Sequence, residues 1–140
     1  MKAAPFLQFT RFLSVGVANT LVALLVIYAA KWFAGLGDVV ANALGYGVGL
    51  FISFTLNRRW TFAHDGPQLP ALVKFLLVSL VAYGMNLLTV MVAIHGLGLN
   101  DYLAQALGIP PYTLTSFFAS KYMVFRARRA KAEKLEHEQA

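Results

Sequence analysis

Four stretches of the chain run without a formal charge: Phe12–Ala30, Val39–Leu56, Phe75–Ile94 and Tyr102–Ala119, of 19, 18, 20 and 18 residues. At a rise of about 1.5 Å per residue each forms a helix of roughly 27–30 Å, which matches a hydrocarbon core of about 30 Å. The fourth stretch contains Gly108, Pro110, Pro111, Thr113, Thr115 and Ser116. That run predicts a kink or local unwinding at mid-depth. Composition supports lipid as the solvent, because 59% of the 140 residues are apolar and only 13% charged, against about 25% charged in soluble domains. A soluble domain of this size has too much exterior to cover with so few polar groups. The pattern therefore predicts an all-α integral membrane protein with four transmembrane helices.

The four spans are two copies of one unit. A shift of 63 positions aligns Arg11–Phe62 with Lys74–Phe125 without a gap. The pairs include Phe12/Phe75, Gly35/Gly98, Leu36/Leu99, Asp38/Asp101, Ala41/Ala104, Gly45/Gly108, Ser53/Ser116 and Phe62/Phe125, with Arg11/Lys74 and Arg58/Lys121 keeping their charge. Apolar matches come cheaply in a membrane protein, whereas glycines, aspartates and cations paired at one offset do not. Two spans per copy bring both copies into the membrane from the same side, giving tandem parallel-repeat helical hairpins. The repeat also argues against a cleaved signal peptide at the N-terminus, since such a segment has no reason to recur.

Charge then orients the hairpins. Under four spans, Lys2, Arg11, Arg58, Arg59, Lys74, Lys121, Arg126, Arg128, Arg129, Lys131 and Lys134 share one side, and Lys31 alone takes the other. The positive-inside rule places that side, with both termini, in the cytoplasm. The net charge of +6 thus lines a membrane face, and nucleic acid is not the expected partner. Residues 1–126 form the transmembrane domain and 127–140 a charged cytoplasmic tail. In the tail, Arg129–Glu133 and Lys134–Glu138 are spaced as helical i,i+4 pairs. The absence of cysteine excludes disulfides and thiolate metal sites.

Two features invite a closer reading. Ala41, Gly45, Gly49 and Ser53 form a stripe of small residues that lets another helix approach closely, within the protein or in a dimer. At the cytoplasmic ends of the even spans stand Asn57-Arg58-Arg59-Trp60-Thr61-Phe62 and Ser120-Lys121-Tyr122-Met123-Val124-Phe125. An interface anchor explains their cations and aromatics, but not why an amide or hydroxyl, a cation and a terminal Phe recur together.

These two motifs, with the openings Arg11-Phe-Leu-Ser-Val-Gly16 and Lys74-Phe-Leu-Leu-Val-Ser79, resemble the GtrA-like family over about residues 8–126. The resemblance implies a small bacterial inner-membrane protein that translocates polyprenyl-phosphate-linked sugars for glycosylation of envelope polysaccharide. On that reading Arg58, Arg59, Lys121, Arg11, Lys74 and Asn57 would hold the lipid phosphate, the arginines through forked, charge-assisted bonds. The second copy departs from the first with Ser120 for Asn57 and Met123 for Trp60, so the two copies need not be equivalent. Asn19, Asn86, Tyr46 and Tyr83 are expected along the sugar's path, where the alternative is hydrogen bonding between helices. Asp38 and Asp101 are expected as helix N-caps or as groups at the outer mouth.

No span carries an ionisable residue at mid-depth, which disfavours a proton-coupling site and a multidrug-type exporter. No metal cluster, phosphate-binding glycine loop or nucleophile–base pair is evident, so neither enzymatic activity nor a cofactor is expected. A non-transporting partner that recruits or stabilises a glycosyltransferase is the alternative function, and a homo-oligomer stays open. The topology is directly testable in this cysteine-free chain. In Arg58→Cys the thiol should react with an impermeant maleimide only from the cytoplasmic side, and in Lys31→Cys only from the outside.

Overall fold

The computed structural model describes residues 4–126 and 136–140. Lys2, Arg128, Arg129, Lys131, Glu133 and Lys134 lie outside that range, and with them at least one member of each predicted tail pair. Among the described residues all regular structure is helical: α1 (Pro5–Ala34), α2 (Asp38–Leu56), α3 (Gln68–Met91) and α4 (Asp101–Ala119). Wider π-type turns at Asn57–Thr61, Val92–Gly96 and Ser120–Val124 directly continue α2, α3 and α4. The chain divides into two compact units, Met1–Ala63 and His64–Ala140, each holding one copy of the repeat. In the first α1 packs on α2, and in the second α3 packs on α4.

Three helical segments, Pro5–Ala34, Asp38–Thr61 and Gln68–Gly96, are long and apolar enough to cross a membrane. α4 equals α2 in length at 19 residues, but its prolines, threonines and Gln105 dilute its hydropathy. Charge spacing treats the helices alike. Arg11 and Lys31, Asp38 and Arg58, and Asp101 and Lys121 each stand twenty residues apart, or about 30 Å along a helix. The expected unwinding of the fourth span is not observed. α4 is α-helical through Pro110 and Pro111: proline's fixed φ is itself a helical value, and the pair's cost is two N–H donors and crowding of the carbonyls four residues back.

The paired glycines have a conformational cause. Gly35 and Gly98 adopt positive φ, 63° and 66°, and each lies in the turn between an odd and an even helix. The chain closes over them through Leu36 N–H to the Ala30 carbonyl at 3.1 Å and Leu99 N–H to the Ala93 carbonyl at 3.0 Å. A left-handed glycine that lets a later N–H reach back to an orphan carbonyl is a standard helix stop. These residues match at the 63-residue offset, so the turn was duplicated with its helices.

The aspartates do not cap. The N-cap positions are Gly37 and Asn100, and Asn100 Oδ1 accepts from Leu103 N–H at 2.9 Å. Asp38 and Asp101 are the first helical residues instead, where their charge still suits the positive end of the helix dipole.

The small-residue stripe is used within each hairpin. Ala41, Gly45 and Gly49 are buried on α2, and Ala104, Gly108 and Ser116 on α4. A methyl group added at Gly45 would overlap the Ile27 side chain and come within 2.9 Å of the Ala23 carbonyl oxygen. At Gly108 it would overlap the Asn86 amide and reach 3.0 Å from Val90 Cγ2. In lipid no hydrophobic force drives helices together, so such close approach supplies the packing energy. Gly45→Ala should therefore destabilise the folded protein in detergent by about 1–3 kcal/mol, the usual cost of overpacking. Gly47→Ala, where a methyl meets nothing within 4 Å, should be close to neutral in the same unfolding measurement.

Candidate functional site

The end of each hairpin remote from its glycine turn is built around a pair of phenylalanines. In the first, Phe62 ends the motif and turns back onto Phe12, with ring centroids 6.3 Å apart. In the second, Phe125 meets Phe75 at 6.2 Å. All four rings are buried or nearly so. The π-type turn delivers them: Phe62 N–H bonds the Asn57 carbonyl at 2.9 Å, and Phe125 N–H bonds the Ser120 carbonyl at 2.8 Å. One extra residue per turn rotates the chain so that the last side chain points back at the odd helix. π-type turns often mark functional sites. The recurrence of a terminal Phe therefore has a structural cause, a latch between the two helices of a hairpin.

Within the first turn the side chains form a ladder. Asn57 donates from Nδ2 to Ser53 Oγ at 3.3 Å, and Thr61 Oγ1 donates to Asn57 Oδ1 at 2.9 Å. Asn57 and Thr61 are each only 1% exposed. The Asn57 amide, expected among the phosphate ligands, is thus buried and bonded inside the turn. Arg11, one and a half turns into α1, donates from Nη1 to the Trp60 carbonyl at 3.1 Å and lies 5.4 Å from the Trp60 ring centroid. Arg58 is half-buried and Arg59 exposed. Three arginines therefore gather at one end of this hairpin, one of them reaching from the neighbouring helix.

The second turn keeps the backbone and loses the ladder. Ser116, Ser120 and Val124 occupy the positions of Ser53, Asn57 and Thr61. Ser120 is fully buried, and its hydroxyl has no hydrogen-bond partner among the described residues. Lys121 lies 5.8 Å from the Phe117 ring centroid and 5.5 Å from that of Tyr122, while Lys74 is exposed. A single ammonium over aromatic rings binds as a point charge and lacks the planar fork of the arginines.

The expected path residues divide. Asn19 faces Gly49, and its Oδ1 is buried with no hydrogen-bond partner among the described residues. Asn86 packs on Gly108. Tyr46 and Tyr83 are exposed on the outer surface of their hairpins. The hydroxyls of Ser14, Thr20 and Ser79 bond the carbonyls of Thr10, Gly16 and Phe75, four residues back at 2.9, 3.0 and 2.9 Å, so their own helices satisfy them. At the end that carries the glycine turn Asp38 forms an ion pair with Lys31. Ile94 stands where a second Lys31 would be, and Asp101 is exposed. Sequence reasoning missed Thr61 and the Arg11–Trp60 link. The first had a faint signal in the i,i+4 spacing from Asn57, but the second joins residues 49 positions apart and had none.

A family model described as "GtrA/DPMS, transmembrane domain" matches residues 11–125. The chain belongs to this family. It is accordingly an integral membrane protein, and the matched stretch runs from Arg11 to Phe125, the outermost residues of the two latches. No curated protein matches the chain. Within this GtrA/DPMS domain Arg11 ties α1 to the Asn57–Phe62 turn by both a charge-assisted bond and a cation–π contact. Arg11→Ala should cost about 1 kcal/mol of stability in detergent unfolding and raise acrylamide quenching of Trp60, read in a Trp32→Phe background.

Proposed function

We propose that this GtrA/DPMS protein translocates a polyprenyl-phosphate-linked sugar across the bacterial inner membrane, for glycosylation of envelope polysaccharide. In this reading all four helices span the bilayer as two parallel hairpins with both termini cytoplasmic. α4 crosses despite its lower hydropathy, bracketed by Asp101 and Lys121 as α2 is by Asp38 and Arg58. The observation that carries the proposal is the arginine cluster on the Asn57–Phe62 turn, in a chain of this family.

The cargo sets the problem the protein must solve. Each CH₂ of a polyprenyl tail gains about 0.8 kcal/mol from burial, so the tail needs no help to remain in hydrocarbon. A charge at the bilayer centre costs about 3 kcal/mol on insertion scales and more in simulation. Catalysis of crossing is therefore work on the head group. Arg58 and Arg59 take phosphate oxygens in fork geometry and Arg11 adds charge from α1, while on the second hairpin Lys121 and Lys74 offer point charges. Asn19, with its unpartnered amide oxygen, and Asn86 meet sugar hydroxyls deeper in the membrane. Synthesis of the lipid-linked sugar inside and its consumption outside supply the gradient, consistent with spans that hold no ionisable residue at mid-depth. Such work makes the protein a transporter and not an enzyme.

The alternative, a non-transporting partner that recruits or stabilises a glycosyltransferase, draws on the basic tail and on the small-residue stripe as a docking face. That stripe is occupied inside the first hairpin by Ile27 and Asn19, which weakens its support. Reconstitution in liposomes with a labelled polyprenyl phosphate sugar decides between the two. Transport above empty vesicles is expected, slowed about 10-fold or more in Arg58→Ala through loss of a charge-assisted contact and partly retained in Arg58→Lys. A rate equal to that of empty vesicles would favour the partner reading.

A further inference from the structure

The two turns share a backbone and differ in what holds them. We infer that Thr61 and Ser53 are positioning residues, which through Asn57 fix the Asn57–Phe62 turn in the one shape that aims Arg58 and Arg59 at a common phosphate. The first hairpin is then the half that grips phosphate in fork geometry, and the second carries point charges alone. This rests on the phosphate-binding reading above.

The argument runs from burial and hydrogen bonding. Asn57 lies at the start of the turn and engages three ways: its carbonyl takes Phe62 N–H at 2.9 Å, its Oδ1 takes the Thr61 hydroxyl at 2.9 Å, and its Nδ2 gives to Ser53 Oγ at 3.3 Å. Arg58, Arg59 and Trp60 are the residues enclosed between Asn57 and Thr61, so closing that i,i+4 bond fixes the backbone from which both guanidiniums project. Arginine gains most from this, because a planar fork binds a phosphate bidentately only when its stem is correctly aimed. The second copy carries Ser120 and Val124 at the matching positions. Val124 has no hydroxyl to give, and the buried Ser120 hydroxyl bonds nothing among the described residues. The same π-type turn persists there with its Phe125–Phe75 latch. The ladder is therefore not needed to fold the turn, and what it adds in the first copy is rigidity under two arginines.

The test replaces the first ladder with the second copy's residues, a pair already compatible with this turn. In a Trp32→Phe background Trp60 is the sole tryptophan, and its emission follows titration of polyprenyl phosphate into phosphatidylcholine nanodiscs holding the full chain, with unphosphorylated polyprenol as the control. The double variant Asn57→Ser/Thr61→Val should bind the phosphate at least about 5-fold more weakly than wild type, with circular dichroism unchanged, while Thr61→Ser should stay within about 2-fold. Equal affinity in the double variant, or a Thr61→Ser as weak as the double variant, would overturn the inference. So would wild-type protein that binds the phosphate no better than the polyprenol. Phosphate binding that depends on the ladder, in a protein that moves no lipid-linked sugar across liposomes, would remove the transport reading and leave this one standing.

Discussion

Backbone polar groups in hydrocarbon have no water to turn to, so a segment that crosses must bond to itself and become a helix. Once it has, neighbouring helices lose the usual reason to associate, because lipid is as apolar as any side chain. Everything else in this protein follows from how each pair of helices is nevertheless held together. The answer is contact at close range. Glycine on one helix receives the side chains of the other, Gly45 meeting Ile27 and Gly108 meeting Asn86. Each hairpin is then closed at both ends, by a left-handed glycine turn at one and a phenylalanine pair at the other.

The phenylalanine closure also positions cations. A helix that simply ended at residue 56 would leave its cations on a fraying terminus. The π-type turn instead carries the chain five residues further, stows Phe62 against Phe12, and sets Arg58 and Arg59 in the stretch between. Arg11 adds a third guanidinium because its helix starts six residues before it, which places it level with Trp60. Packing and ligand presentation are thus one device, and the residues that latch the hairpin are interleaved with those proposed to bind.

Duplication supplied two such devices and subsequent change has kept both latches while altering what they carry. The phenylalanines, the glycine turns and the close-packing glycines survive in both copies, because each is required by its own hairpin. The polar ladder, the second arginine and the tryptophan survive in one. A feature kept in both copies is explained by the stability of a hairpin, whereas a feature present in one needs some other account. Asn57, Thr61 and Arg59 stand on that second list, beside the Lys31–Asp38 pair next to the first glycine turn.

Helical class, the location of the apolar segments, the duplication and the clustering of cations were legible from the residues in order, since each is set by local composition or a fixed offset. Gly35 and Gly98 could be recognised as special before their positive φ was known. Four things were not legible. The aspartates at 38 and 101 looked like caps, but the chain reached its cap one residue earlier, a matter of backbone geometry no residue type dictates. Pro110 and Pro111 suggested local unwinding, yet fixed φ values near the helical one let α4 continue. The burial of Asn57 and its bonds to Ser53 and Thr61 were seen only in the folded turn, and the Arg11–Trp60 contact emerged only when α1 lay beside it. Sequence determines which groups a segment contains and whether it belongs in lipid, because those depend on transfer free energy summed along the chain. Which polar atom finds which partner depends on distances between helices, and only the folded hairpin sets those.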